Sequence, residues 1–234
     1  MAGTSCPSGL RDWMDPEAPS CLATGKSPTV RSGREFTSEA SLLLTLLRRM
    51  AIQQPYVLGH GHRTASYALR LGESVGLSSS DLTHLHYAAL LHDIGQLTLP
   101  AEILNKDGPL TAEEYELVQC HPRAGAELLQ PISFLRVPAL WIAHHHERWD
   151  GSGYPYGLRG RFIPLGSRIL AVADTFDSLT TRHAHGQLQS PTVAVRILQV
   201  VAGSQLDPEL VEVFVGLAPG KFAEVSTTGA PTTG

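Results

Sequence analysis

Residues 145–164 read His-His-Glu-Arg-Trp-Asp-Gly-Ser-Gly-Tyr-Pro-Tyr-Gly-Leu-Arg-Gly-Arg-Phe-Ile-Pro. Two adjacent imidazoles and a carboxylate run into a loop with glycine at 151, 153, 157 and 160 and proline at 155 and 164. Proline stiffens such a loop, and glycine lets its backbone turn sharply or approach a ligand closely. On the upstream side, Leu140, Trp141 and Ile142 are the apolar part of a predicted helix, 138–146, that ends on the histidine pair. On the downstream side, Ile169, Leu170, Val172, Ala173, Phe176 and Leu179 recur as a buried helix over 165–180 that bears Asp174 and Asp177. The β-branched residues of that stretch leave a local strand open.

Further out, helical spacing continues in both directions. Leu42, Leu43, Leu46, Leu47 and Met50 mark a helix from about Ser38, and Pro55 interrupts it. A second helix, about 56–75, carries His60, Arg63 and Tyr67, and a third, about 81–94, leads to His92-Asp93 before Gly95 ends it. Thr111 to Glu114 has the capping-box pattern and opens a helix towards His121, and Pro122 starts a short one to about Leu129. Residues 191–201 and 208–217 complete the series, the last with Asp207 as its cap. The predicted fold is therefore all-α, with eight or so helices and one glycine-rich loop. Residues 1–35 lack periodicity and are expected to form a disordered arm, and 221–234 a flexible tail, leaving 36–220 as the folded domain.

Composition narrows the function classes. A net charge of −4 over 234 residues gives no electrostatic case for binding long nucleic acid. No apolar run approaches the roughly 20 residues of a membrane span, and the first residues lack a signal-peptide pattern. Cys6, Cys21 and Cys120 fit no zinc spacing and are expected to be reduced thiols in a cytoplasmic protein. The 11 histidines are the unusual count, and several stand beside Asp or Glu. Imidazoles and carboxylates spread over several helices are the donors of a helical-bundle metal site, and a carboxylate can bridge two ions. Two metals about 3.5–4 Å apart lower the pKa of a bound water and clamp a phosphate. His92-Asp93 and His145-His146 both fall at predicted helix ends, where successive side chains point about 100° apart and can serve different ions.

The ordered series of His60, His92-Asp93-Ile94-Gly95, Ile103-Leu104-Asn105-Lys106, His121, 145–164, Ala173-Asp174-Thr175-Phe176-Asp177 and Asp207-Pro208-Glu209-Leu210-Val211 resembles the HD-GYP family, a branch of the HD metal-dependent phosphohydrolases. The resemblance covers about residues 56–217 and implies an HD-superfamily helical bundle with a Gly-Tyr-Pro loop. It implies metal ligands at His60, His92, Asp93, His121, His145, His146 and Asp174, with Asp93 and Arg182 in catalytic roles. It also implies substrate contacts at Gln96, Tyr154, Asp177, Arg182 and His185. The implied cofactors are two divalent metal ions, Fe or Mn. The implied activity is hydrolysis of cyclic di-GMP to linear pGpG and GMP. The same resemblance leaves His62, His84, His86 and His144 as non-ligands.

Four departures from the family pattern bear on function. Gln96 stands where a lysine is usual, so a charged phosphate contact becomes a neutral one. Tyr56, four residues before His60, replaces the glutamate of three-metal members, which favours two metals. Arg182-His183-Ala184-His185 replaces Arg-Pro-Tyr-Arg/Lys, and its second base depends on pH. No receiver or sensor is expected in this sequence, so regulation is expected to come from a partner or the arm. These departures keep two other readings open. One is a weak or inactive cyclic-dinucleotide-binding module whose Gly-Tyr-Pro surface engages partners such as diguanylate cyclase (GGDEF) domains. The other is hydrolysis of a different cyclic dinucleotide.

Overall fold

A computed structural model describes residues 39–53, 55–106, 108–181 and 188–217. The expected arm and tail, and Arg182 and His185, lie outside the described residues. Among the described residues ten α-helices follow in order: α1 Glu39–Gln53, α2 Pro55–Ser74, α3 Ser79–Leu91, α4 Ala101–Leu104, α5 Ala112–Val118, α6 His121–Leu129, α7 Arg136–Ala143, α8 Leu165–Thr180, α9 Pro191–Val201 and α10 Pro208–Leu217. Short 3-10 turns at Ile94–Thr98, Ser133–Leu135 and Gly160–Phe162 join them. No β-strand occurs among the described residues, only a single bridge between Ala202 and Leu206.

Local chemistry sets these boundaries. Ser78 caps α3 by accepting the Asp81 amide at 3.1 Å. Thr111 and Glu114 form the reciprocal capping box of α5, with bonds of 2.7 and 3.2 Å. Asp207 Oδ1 accepts the Glu209 amide at 2.9 Å at the start of α10, and its Oδ2 takes Arg168. The stretch 165–180 is helical throughout despite its β-branched residues, because Ile169, Leu170, Val172, Ala173 and Phe176 line one buried face.

Helix α2 lies between α3 and α8, and α6 packs on α7 and on the 94–98 turn. Tyr67, Phe176 and Phe214 meet edge to face at the centre, with ring centroids 5.1 Å apart for Tyr67–Phe176 and for Phe176–Phe214. Leu71, Leu85, Leu91, Ile142 and Ile169 surround them, all fully buried. Each such side chain contributes about 1.5–3 kcal/mol of burial. The core thus fixes the helices whose ends carry the candidate ligands.

Two expectations are corrected. The histidine pair does not ride on α7, which stops at Ala143, so His145 and His146 sit in the turn beyond it. The amide of the capping residue His144 bonds back to Trp141 and Ile142, tightening the last turn and releasing the chain into the loop. Cys120, at the start of α6, is disulfide-bonded rather than reduced; its partner lies outside the described residues.

Candidate metal centre

Three of the expected ligands obey one local rule. The last carbonyls of a helix have no partner within it. His92 directly follows α3, and its Nδ1 donates to Ala89 O at 2.9 Å. His121 comes three residues after the end of α5 and donates from Nδ1 to Val118 O at 2.7 Å. His145 follows α7 and donates to Ile142 O at 2.6 Å. A carbonyl can only accept, so each Nδ1 carries the hydrogen, which leaves Nε2 as the ligating atom of each ring. His60, on α2, is fixed differently: its Nδ1 meets Asp177 Oδ2 at 2.7 Å.

These Nε2 atoms converge. Donor atoms of His60, His92 and Asp93 lie within 4.8 Å of one another, and so do those of His121, His145 and His146. Asp174, from α8, joins the first group, with Oδ1 3.2 Å from His60 Nε2 and 3.9 Å from His92 Nε2. Asp93 stands between the groups. Its Oδ2 lies 3.4 Å from His92 Nε2, and its Oδ1 lies 3.5 Å from His121 Nε2. The structure therefore brings together all seven residues expected as ligands. None of His62, His84, His86 and His144 belongs to either group.

The donors fit cations. His121 Nε2 and His145 Nε2 are buried with no hydrogen-bond partner, which normally costs free energy unless something accepts the lone pair. His60 Nε2 and His92 Nε2 face each other at 3.0 Å, an arrangement that needs a proton or a metal between them. Burial first, then the neighbouring imidazoles, hold His145 well below its ordinary value. The same burial, with His121 beside it, pushes His146 down to about 4. His121 is lowered by burial as well. All three are neutral and ready to coordinate near pH 7. His60 goes the other way: burial lowers it, but bonds to Asp174 and Asp177 outweigh this and carry it up to about 10. Burial pushes Asp93 and Asp174 up, yet the surrounding histidines outweigh it and hold both carboxyls below the usual range. Paired imidazoles and an ionised bridging carboxylate suit divalent transition metals rather than Mg or Ca.

The expected substrate contacts separate. Tyr154 borders the centre, its ring 5.0 Å from that of His146 and its amide 3.2 Å from His146 O. Burial, with Tyr115, Asp174 and Asp93 nearby, raises its phenol further above neutrality. Gln96 turns its amide inward to Asp93 Oδ1 at 2.6 Å. Asp177 is corrected: it is completely buried and takes Arg63 Nε at 2.7 Å, Arg63 Nη2 at 3.0 Å and the Thr181 hydroxyl at 3.2 Å besides His60. It stands behind His60 and orients that ring.

Glu147 was legible only as a spacer after the histidine pair. It is 4% exposed and accepts the amides of Tyr156 at 2.8 Å and Leu158 at 2.9 Å. One carboxylate thus fastens the Gly-Tyr-Pro loop to the turn that carries His145 and His146. Gly153 makes the fold-back possible, because a Cβ there would lie 2.3 Å from Arg148 N and 2.6 Å from His146 O. An acid directly after the histidine pair and ahead of a glycine-rich loop was the available signal.

The family described as HD domain matches residues 45–210. A cyclic di-GMP phosphodiesterase of Thermotoga maritima is 39% identical over 160 residues, covering 68% of this chain and 44% of the relative. The 3'3'-cGAMP-specific phosphodiesterase 2 of Vibrio cholerae is 36% identical over 158 residues, covering 67% of this chain and 30% of its own length. The chain thus spans less than half the length of these curated relatives. Among solved structures, a cyclic GMP-AMP-specific phosphodiesterase of Vibrio cholerae superposes with a TM-score of 0.60 at 22% identity, covering 80% of this chain and 50% of that one. That likeness is one of fold.

Proposed function

The chain belongs to the HD domain family, and from that premise we propose that it is a metal-dependent phosphodiesterase that opens cyclic di-GMP to linear pGpG, with GMP following from a second cut. The observation that carries this reading is the division of Asp93, whose two oxygens face two separate histidine groups. Pure nucleotide binding has no use for such a division, whereas in-line displacement at phosphorus does.

His60, His92, Asp174 and Asp93 Oδ2 would hold one divalent ion, Fe or Mn, and His121, His145, His146 and Asp93 Oδ1 the other. When bound, such ions lower the pKa of a coordinated water and neutralise charge on the phosphate. The protein's own contribution is to arrive with that geometry already made. The Nδ1 bonds stop the ligand rings from turning, and Asp177 does the same for His60. Glu147 keeps Tyr154 beside His146. The Tyr154 phenol stays protonated at neutral pH, so it donates to a phosphate oxygen or offers its ring to a base. Arg182 and His185, taken from the resemblance, supply basic groups that orient the phosphate.

The relatives named for 3'3'-cGAMP favour a second reading, in which a mixed cyclic dinucleotide is cut at the same centre. The test is anaerobic loading with Fe or Mn, then separate incubation with cyclic di-GMP and 3'3'-cGAMP and chromatography of the products. Linear pGpG from the first supports the proposal, and faster turnover of the second supports the alternative. No linear product from either, with metal content verified, overturns both in favour of a binding module.

A further inference from the structure

The 94–98 turn holds a device that the ligand set does not use. A 3-10 turn eclipses side chains three residues apart. Asp93 caps this one, and its carbonyl accepts the Gln96 amide at 2.9 Å. The eclipsed Gln96 side chain then lies over Asp93, with Nε2 2.6 Å from Oδ1. The Gln96 side-chain nitrogen donates this bond, and the carboxylate oxygen accepts it. The turn itself cannot drift. A Cβ on Gly95 would lie 1.9 Å from His121 O and 2.6 Å from Gly125 N, so the backbone is pressed onto the start of α6. Oδ1, the oxygen that Gln96 grips, is the one aimed at His121.

We infer that Gln96 is a positioning residue for the second metal: its amide fixes the Asp93 carboxylate so that Oδ1 faces His121, His145 and His146. The inference rests on the two-metal reading of the centre. An oxygen carries two lone pairs, so Oδ1 accepts from Gln96 and still serves a cation. Removing an outer partner of this kind lowers metal affinity about 10- to 100-fold.

Calorimetric titration of metal-free protein with Mn(II) alone tests this in wild type, Gln96→Met and Gln96→Lys. Methionine keeps the reach and volume but removes the donor, whereas lysine restores a donor on a flexible arm. The expected result is two Mn(II) in wild type, with the weaker or second event lost about 10- to 100-fold in Gln96→Met, the other changed less than about threefold, and most of the loss recovered in Gln96→Lys. Two unchanged events in Gln96→Met overturn the inference and leave the two-metal reading standing. Equal loss of both events in Gln96→Met, with a lowered melting temperature, also overturns it, because Gln96 would then be a packing residue. A single event in wild type overturns the two-metal reading and the inference with it.

Discussion

The Asp93 carboxylate faces two ways, with Oδ2 3.4 Å from His92 Nε2 and Oδ1 3.5 Å from His121 Nε2, so one side chain defines the relation between two clusters from different helices. The candidate ligands were legible in the sequence because the family resemblance picked out His60, His92, His121, His145, His146 and Asp174 from among 11 histidines and many acids. The residues that steer those ligands were not. Asp177 reads as a substrate contact one turn from Asp174, and the packing of α2 on α8 turns it towards His60 and Arg63 instead. Glu147 likewise reads as one acid among several. Its burial makes a prediction. Glu147→Ala leaves two backbone amides without their acceptor, which destabilises the loop by about 1–3 kcal/mol. Metal content should be unchanged, while KM rises because Tyr154 is no longer held. Thermal melts, metal analysis and steady-state kinetics check this, and loss of bound metal would count against a role confined to the loop.

At the scale of the element, helix ends do the positioning. The carbonyls of Ala89, Val118 and Ile142 lie in the last turns of α3, α5 and α7, and each accepts from and orients the histidine three residues on. Sequence periodicity found the helices but overran two of these ends. It carried α3 to about Ile94 and α7 to His146, whereas they stop at Leu91 and Ala143. The overrun has a physical cause, since apolar spacing continues into the 94–98 turn through the buried Ile94. Gly95 marks the consequence. It serves a close approach rather than only a helix stop, because its hydrogen side abuts the backbone of His121 and Gly125. Gly95→Ala is expected to cost about 3 kcal/mol, the upper end for an overpacked site, and to lower Mn(II) uptake at the His121 group first. Denaturant titration and metal analysis check both. A variant as stable as wild type would show that α6 can move away freely.

For the whole molecule, buried titratable groups of opposite sense make stability depend on pH in both directions. His146 falls to about 4, and His121, His145 and His86 are lowered too. A histidine held below its unfolded value adds stability above about pH 6.5, and that stability is lost as pH falls towards 4. Asp93, Asp174 and Asp177, all held low, add to the loss at the acid end. His60, raised to about 10, adds stability below pH 6.5 that is lost as pH rises towards 10. Metal-free protein should therefore be most stable near pH 6.5, declining on either side, and bound metal should remove the alkaline decline by replacing the proton on His60. Urea unfolding from pH 4 to 10, with and without Mn(II), tests this; a metal-free curve that rises steadily to pH 10 would contradict it. At this scale the all-α architecture was largely legible, because helical spacing recurs from 38 to 217 and each segment ends on a cap, glycine or proline.

In the proposed mechanism Asp93 joins two metal sites into one hydrolytic centre. Its most direct test is product formation from cyclic di-GMP by metal-loaded wild type and Asp93→Asn side by side, at verified metal content. An amide keeps the shape of the carboxylate but loses its charge and one of its two acceptor oxygens. Wild type should release linear pGpG and Asp93→Asn none. Turnover that survives in Asp93→Asn would contradict it.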